Sequence, residues 1–188
     1  MEKIHNSTND TYVNALSDIS SAITSDLLLE DILRLIVLVA ANVTRVSICS
    51  LWLVEEKNGS KILRLAVTQA INPDYVKDRA LSMKEGIVGH VASEKKIMAI
   101  DNVLKDPRFK EKEMAEKLSL VSMLSVPMLT DDNKVIGVLN GFTCVAHHFS
   151  ETEINLFKSV ANKASIAIEN AGRIVQAKVI ERELEILK

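Results

Sequence analysis

The chain has 188 residues, of which 47% are hydrophobic and 26% charged, so it can bury one good core and form a single ordered domain with helical extensions. Its 23 Lys and Arg residues are offset by 25 Asp and Glu residues, which disfavours a nucleic-acid partner because phosphate binding depends on excess positive charge. The longest apolar run, residues 35–43, is about half as long as the ~20 residues of a membrane span, and no basic leader precedes it. We therefore expect a cytoplasmic protein with no membrane span.

Two helices are predicted before the first strand. The first is amphipathic, because its apolar residues fall on one face at steps of four, three and four: Tyr12, Leu16, Ile19 and Ile23. The segment after Ile23 breaks this pattern, and Ser25 is a suitable N-cap for a second helix that continues to Asn42. We assign residues 1–25 to an N-terminal helix for signalling and dimerisation.

The first two strands are predicted to form an antiparallel hairpin. Residues 46–54 are β-branched and aromatic with no strong polar face, which is typical of a central strand covered on both sides. Asn58 and Gly59 tolerate the positive φ of a tight turn, and residues 61–69 supply the partner strand. Asn72-Pro73 ends that strand and begins an irregular segment.

The glycine pair Gly86 and Gly89 has the G-x-x-G spacing that KH domains use to clamp nucleic-acid backbone. Here the middle pair is aliphatic and the surroundings are not basic, and no Lys-Ser/Thr follows to complete a phosphate-binding loop. We therefore predict a structural role. Gly86 frees the backbone before a short helix that Ile87, Val88 and Val91 anchor to the core, and Gly89 allows close approach to the sheet.

A short strand and a lid helix are predicted next. Residues 97–100 read as a strand that ends in Asp101 and Asn102, whose side chains either close a turn or point into a cavity, and we favour the turn. Asp106 reads as the N-cap of a helix over residues 107–118, whose charged surface indicates a position outside the sheet, as a partly mobile lid.

A second hairpin is predicted from residues 121–129 and 134–143, which a polar turn joins. Pro127 cannot donate to a strand ladder, so it should lie near a strand end or face away from its neighbour. Because apolar residues continue beyond Asn140 and Gly141, we predict a β-bulge at this pair instead of a turn.

The last helix begins at Ser150, where Ser150 and Glu153 form a capping box. Its last turns carry a short coiled-coil seam: Ala177, Ile180, Leu184 and Leu187. Since the seam runs up to Lys188 with no stop signal, we expect a fragment of a longer protein that carries an output domain. We divide the rest of the chain into a domain over residues 26–172 and a helical extension over residues 173–188.

Neither the cysteines nor the histidines form a recognisable site. Cys49 and Cys144 lie in strand-like apolar runs, unlike the cysteines of a secreted disulfide scaffold or a zinc site, and we predict two buried free thiols. His147 and His148 are adjacent and have no companion at metal-ligand spacing, so we predict two solvated residues and no metal site.

Several motifs together resemble the GAF domain family, small-molecule-binding regulatory modules of signalling proteins: GIVGHVA at 86–92, IDNV at 100–103, DPRF at 106–109, SMLSVPM at 122–128, VIGVL at 135–139 and FS at 149–150. The resemblance covers roughly residues 26–172. It implies an α+β (GAF/PAS-like) fold with an antiparallel sheet of five or six strands. The terminal helices would pack on one face, and residues 71–120 would cover a pocket on the other.

By this analogy six residues are candidates for lining the pocket: Trp52, His90, Asp101, Phe109, Ser122 and Met123. The alternative for Trp52, Phe109 and Met123 is that they only fill the core, and the alternative for His90 is an exposed position on its helix. The resemblance identifies no cofactor.

The specialised chemistries of the family find little support. Phosphodiesterase members bind cyclic nucleotides with an Asn-Lys-Phe-Asp-Glu set that is not recognisable here. Phytochrome-type members attach a bilin to a lid cysteine, and residues 71–120 contain none. Free methionine sulfoxide reductases use cysteines of the lid and the adjacent strand, whereas Cys49 and Cys144 lie in the first and last strands. We therefore expect no catalytic residues and keep a free methionine sulfoxide reductase-like enzyme as the less favoured alternative.

Two hypotheses of function follow. In the first, the chain is a non-enzymatic sensor whose unidentified small-molecule ligand changes the packing of the terminal helices, through which the protein forms a homodimer. In the second, it is a structural dimerisation module whose pocket is filled by its own side chains.

Overall fold

The computed structural model describes residues 2–23, 28–70 and 79–186. Three features predicted from the sequence, the Ser25 N-cap, the strand end at Asn72-Pro73 and the seam residue Leu187, lie outside these residues. The side chains of residues 2–9, of Tyr12 and of residues 174–186, which include the rest of the seam, also lie outside the description.

The described elements are α1 (Glu2–Ile23), α2 (Leu29–Thr44), β1 (Ile48–Lys57), β2 (Ser60–Thr68), β3 (Ala80–Ser82), α3 (Gly86–Glu94), β4 (Met98–Ile100), α4 (Lys112–Lys117), β5 (Ser122–Leu129), β6 (Val135–Thr143) and α5 (Glu151–Ile186). The six strands form one sheet in the order β3-β2-β1-β6-β5-β4, and every neighbouring pair is antiparallel. The predicted α+β architecture is therefore confirmed. No helix in the described part of the chain is long and apolar enough to cross a membrane.

The sheet is built on two hairpins, as predicted. Asn58 and Gly59 have φ values of 52° and 75°, so both central residues of the β1–β2 turn adopt the left-handed conformation that this kind of turn requires. Pro127 of β5 pairs with Val138 of β6. The pairing of β5 with β4 ends at Ser125, before Pro127, so the missing N–H of Pro127 removes no hydrogen bond between β4 and β5.

The predicted bulge at Asn140 and Gly141 is wrong. Both residues stay in register with β1 and with β5, and the irregularities fall at Leu51/Trp52 and Met128/Leu129 instead. Packing explains the glycine: a Cβ on Gly141 would lie 2.9 Å from Val46 and 3.1 Å from Phe157. The residue is small because Val46, which precedes β1, and Phe157 of α5 pack directly against the strand.

One face of the sheet carries the helix-side core, which α1, α2 and α5 cover. Its largest fully buried members are Ile19, Ile36, Leu51, Leu124, Met128, Leu139 and Phe157. Complete burial of one such side chain contributes about 1.5–3 kcal/mol to folding. α2 and α5 therefore pack on one face of the sheet, and Ile19 of α1 belongs to the same core.

The opposite face carries the lid-side core, whose main members are Trp52, Leu63, Ile87, Val91, Phe109, Leu120, Met123 and Phe142. It is covered by the lid, which comprises α3 and residues 101–120. Gly86 has φ +62°, and a Cβ on Gly89 would lie 2.8 Å from both Lys84 N and Ser82 O. Both glycines therefore hold the places predicted for them, at the start of α3 and at its close contact with the β3 region.

The lid helix is shorter than predicted. The helix predicted over residues 107–118 begins only at Lys112, because residues 106–109 form a turn. Phe109 N–H donates to the Asp106 carbonyl at 3.2 Å, and Arg108 N–H donates to the Asp106 carboxylate at 2.9 Å. This turn directs the Phe109 ring into the core, where it meets Phe142 edge-on with 6.2 Å between ring centres.

The predicted turn at Asp101 and Asn102 is half right. Asn102 Oδ1 accepts from Leu104 N–H at 3.0 Å and closes a turn with the backbone, whereas the Asp101 carboxylate lies 3.1 Å from His148 Nδ1. At the start of α5, Glu153 accepts from Ser150 N–H at 2.7 Å and Glu153 N–H donates to Ser150 Oγ at 3.3 Å, which completes the capping box.

The prediction of two buried thiols is half wrong. Cys49 is fully buried, whereas Cys144 is exposed because β6 ends at Thr143 and the chain bends away from the sheet.

Candidate functional site

A small cavity lies between the sheet and the lid. The sheet contributes Trp52, Met123, Asn140 and Phe142 to its wall, and α3 and the segment from Phe109 to Glu111 cover it. The cavity measures about 20 Å³. That volume holds one water molecule, so in this conformation the side chains of the lid-side core fill most of the space between sheet and lid.

The six predicted lining residues separate into two groups. Trp52, Phe109 and Met123 line the cavity, and all three are almost completely buried. His90, Asp101 and Ser122 are not among the residues found to line it.

These three polar residues are engaged elsewhere. His90 is half-buried on α3, with Nδ1 2.6 Å from the Gly86 carbonyl oxygen. Asp101 is exposed, and its carboxylate lies 3.1 Å from His148 Nδ1. Ser122 is fully buried, donates to the Asp101 carbonyl at 2.7 Å and accepts from the backbone N–H of His147 at 2.9 Å.

Trp52 carries a polar group that its surroundings do not satisfy. The side chain is 1% exposed, and its Nε1–H has no hydrogen-bond acceptor among the described residues. Leaving a buried donor unpaired costs about 1–3 kcal/mol, so such a group is uncommon where the only role is stability. The Arg79 guanidinium stacks over the indole, 5.2 Å from the centre of the ring.

Arg79 and Glu111 form an ion pair at the edge of the cavity. The Arg79 carbonyl accepts from Leu65 N–H of β2 at 3.0 Å, which fixes its backbone at the edge of the sheet. The Arg79 side chain is 12% exposed and the Glu111 side chain 36%. The pair therefore links the sheet edge to the lid beside Trp52. Sequence reasoning missed it because nothing in the local pattern relates these two distant positions.

Three polar residues cross the centre of the sheet in one row. Ser50 of β1, Asn140 of β6 and Ser125 of β5 are paired across the strands and are all buried. Ser125 Oγ donates to Asn140 Oδ1 at 2.6 Å, and Asn140 lines the cavity. Asn140 therefore places one polar side chain in the otherwise apolar sheet wall of the cavity. Polar residues inside otherwise apolar strands are the signal in the sequence that indicates such a row.

Two charged clusters outside the cavity hold the lid and the last helix. Hydrogen bonds from the Arg108 side chain lower the pKa of Asp106 and fix the turn of the lid. Partial burial alone would raise the pKa of Glu153. Hydrogen bonds from Ser150 and the neighbouring His147 lower it by a larger amount, so the pKa lies below its ordinary value. Both carboxylates are part of the structural framework.

The thiols are poorly placed for chemistry in the cavity. Burial raises the pKa of the Cys49 thiol well above its usual range, and Cys49 belongs to the helix-side core, on the opposite face of the sheet. Cys144 is exposed, with its sulfur 3.7 Å from the Leu118 carbonyl oxygen. Within the described ranges no group of three His, Cys, Asp or Glu side chains could hold a metal ion.

Comparison with known proteins gives a consistent result. The family model of the GAF domain matches residues 28–168. The GAF domain of a phosphoenolpyruvate-protein phosphotransferase from Acinetobacter is 27% identical, with a TM-score of 0.73 over 88% of this chain and 97% of that one. The corresponding domain from Coxiella burnetii is 22% identical, with a TM-score of 0.76 over 89% and 97%.

An enzyme shares the same fold. The free methionine-R-sulfoxide reductase from Neisseria meningitidis, solved with its substrate, is 19% identical, with a TM-score of 0.71 over 87% of this chain and 91% of that one. At this identity the likeness concerns the fold alone. No curated protein matches the sequence.

Proposed function

Because the chain belongs to the GAF domain family, we propose that it is a non-enzymatic sensory module that binds a small molecule between sheet and lid. One observation carries this proposal: a buried indole N–H without an acceptor among the described residues, on Trp52, in the wall of a cavity that Asn140 also lines. A ligand acceptor would remove the cost of that unpaired donor, which gives ligand binding a specific source of free energy.

A chain of hydrogen bonds would carry the bound state from the lid to the last helix. The buried Ser122 hydroxyl joins the Asp101 carbonyl of the lid to the His147 N–H that precedes α5. His147 Nε2 in turn lies 2.9 Å from Glu153 in the capping box of α5. A lid movement that displaced Asp101 would therefore disturb the start of the helix.

The terminal helices would form the dimer interface. Large apolar side chains are exposed on the helical layer: Val13 of α1, Leu38 of α2 and Ile166 of α5. We assign residues 1–25 and 173–188 to this interface and to the link with an output domain, and residues 26–172 to the sensory domain. A second copy of the chain would bury this apolar surface.

The non-enzymatic assignment depends on the thiols. The reductase chemistry considered from the sequence needs an accessible thiolate beside the substrate. Cys49 is buried on the wrong face of the sheet, and Cys144 is outside the cavity wall. The structural likeness to reductases therefore does not extend to a reacting pair of cysteines.

A second candidate function is a purely structural dimerisation module, which the cavity volume of about 20 Å³ favours. A thermal-shift screen separates the two candidates. If one compound among nucleotides, amino acids, haem and aromatic acids binds, a concentration 100 times its Kd should raise Tm by about 5–10 °C. A flat Tm across all classes contradicts the sensor.

Sedimentation at micromolar concentration tests the dimer. The full chain should sediment as a dimer, and Leu38→Glu together with Ile166→Glu, at exposed positions of α2 and α5, should give a folded monomer. A monomeric full chain with intact terminal helices would contradict this part of the proposal.

A further inference from the structure

On the basis of the proposed sensory function, we propose that the ligand is an uncharged aromatic compound with a carbonyl group, and that it binds in the place now held by the Phe109 ring. The ring turns outward into a groove along the lid. The proposal adds to the sensory function the chemical class of the ligand and the side chain that the ligand displaces.

The cavity has no room for a ligand until a wall residue moves. Its volume is about 20 Å³, whereas an apolar cavity that takes a benzene ring measures about 150 Å³. Trp52 and Phe142, two aromatic residues of the wall, lie in β1 and β6 at the centre of the sheet. Phe109 lies at the end of the lid turn, outside any helix or strand. Phe109 is therefore the ring that can leave at the lowest cost.

A groove along the lid can receive the displaced ring. This groove has a volume of about 680 Å³, and Phe109 lines both the groove and the inner cavity. Met114 and Leu118 give the groove an apolar part. Rotation of the Phe109 side chain therefore moves the ring from one apolar surrounding to another. The backbone turn stays in place, since Asp106 holds it through hydrogen bonds from two backbone N–H groups.

The space that the ring vacates suits another flat ring. Phe109 meets Phe142 edge-on, with 6.2 Å between ring centres, and Met123 lines the same cavity. Aromatic pairs favour such an edge-on arrangement, and a methionine sulfur makes favourable contacts with a ring. An aromatic ligand can therefore replace the contacts that Phe109 gives up.

Trp52 requires something that a phenylalanine ring cannot supply, a hydrogen-bond acceptor. Its Nε1–H is buried and has no acceptor among the described residues. A carbonyl group on the ligand can accept from this N–H. Because the neighbouring wall residues Ile87, Val88 and Met123 are apolar, an uncharged acceptor enters at a lower desolvation cost than a carboxylate. The ligand therefore gains a hydrogen bond that Phe109 does not make.

The test compares acetophenone with ethylbenzene, which has the same ring and a CH₂ group in place of the carbonyl. Trp52 is the single tryptophan of the protein, so the ¹⁵N-labelled full chain gives one indole N–H signal in a two-dimensional NMR spectrum. Acetophenone should move this proton signal downfield in a saturable manner, because the N–H gains an acceptor. Ethylbenzene has no acceptor and should not move the signal downfield.

Trp52→Phe removes the donor and keeps an aromatic ring. It should raise the ratio of the Kd of acetophenone to that of ethylbenzene about tenfold, because only the ketone loses a hydrogen bond. Ligand-detected NMR measures both Kd values and needs no tryptophan. Circular dichroism verifies that the variant is folded, and the indole signal of the wild type tests the same hydrogen bond without any substitution.

Phe109→Ala tests the displacement of the ring. It should lower the Kd of both compounds about fivefold, since the ligand no longer has to move a packed ring. The matched control is Leu104→Ala. Leu104 also packs on the lid-side core but is not among the residues found to line the cavity, so this change should leave both Kd values as they are.

An unchanged ratio of Kd values in Trp52→Phe, or an indole signal that responds alike to both compounds, overturns the carbonyl class. Equal Kd values in Phe109→Ala and Leu104→Ala overturn the displacement of Phe109. If millimolar acetophenone binds neither the wild type nor Phe109→Ala, both parts are wrong. The sensory function survives each of these results when another compound of the broad screen raises Tm, and it fails separately when Tm stays flat.

Discussion

The two faces of the sheet bury cores of different construction. On the helix-side core, long helices pack aliphatic and aromatic side chains such as Leu139 and Phe157 against the strands. On the lid-side core, two short helices and an irregular segment cover a small cavity, together with the Asn140 side chain and an indole N–H that has no acceptor among the described residues. Stability is concentrated on the first face, and groups that a ligand can satisfy are concentrated on the second.

The difference also separates two requirements of a sensor. A ligand site needs a part that can open at low cost, and such parts have few buried contacts and short elements. Signal output needs a part that stays folded while the site opens. The sheet supplies both, because its residues alternate between the two cores along each strand.

The largest expected effect compares one phenylalanine from each core. Phe157→Ala should reduce the free energy of unfolding by about 3–5 kcal/mol, because α5 and the strands cannot close the space left. Phe109→Ala should cost less, since the lid segment can collapse onto the sheet. Urea unfolding followed by circular dichroism measures both. Equal losses would remove the proposed difference between the faces.

The sheet between the two cores should tolerate little change. A Cβ on Gly137 of β6 would clash with the Trp52 carbonyl oxygen and with Met128 Cε, so Gly137→Ala should destabilise the protein by about 1–3 kcal/mol and shift the Trp52 emission. Gly172→Ala on α5 is the control. Apart from its chain neighbours and the nearby backbone of its own helix, no described atom lies within 4 Å of its Cβ position, and the helix should gain up to about 1 kcal/mol. If Gly137→Ala leaves the free energy of unfolding unchanged, β1 and β6 separate more easily than their packing indicates.

Acid should loosen the lid through Asp106. Its pKa is lowered in the folded state from the ordinary 3.8 by hydrogen bonds from Arg108, so this contribution to stability is complete above pH 3.8 and disappears as the pH falls through the folded value. Acrylamide quenching of Trp52 should increase over this pH range. Asp106→Asn should show the higher quenching already at neutral pH, and Asp131→Asn in the β5–β6 turn should not. Quenching that is independent of pH in the wild type would contradict this role of Asp106.

The smallest effect concerns the thiols and leaves stability unchanged. A thiol reagent should modify only Cys144 in the folded protein, because Cys49 is fully buried and its raised pKa keeps it protonated. Both cysteines should react in denaturant. Rapid modification of Cys49 under native conditions would show that the helix-side core opens as readily as the lid.

Local backbone requirements made much of the fold predictable. Three features depend only on residues close together in the chain: the positive φ of the turn at Asn58 and Gly59, the positive φ of Gly86, and the capping box of Ser150 with Glu153. The lid was less predictable. Residues 106–109 carry the signature of a helix start, but burial of Phe109 against Phe142 stabilises a turn instead, and that contact joins distant parts of the chain.

The same distinction holds for the candidate site. The apolar candidates Trp52 and Met123 line the cavity, since their strand positions follow from the sheet. The polar candidate Ser122 bonds to backbone groups of distant segments, which no sequence spacing indicated. The pair of Arg79 and Glu111 escaped prediction for the same reason.

Native-state hydrogen exchange tests most directly whether the lid opens independently of the helix-side core. Amides of Ala115 and Leu118, which donate to lid carbonyls, should exchange through openings that cost much less than global unfolding. Amides of Leu124 and Leu139 in the central strands should exchange only with global unfolding. If all four amides show the same opening free energy, the lid is not a separate unit, and a ligand could enter only by unfolding the whole domain.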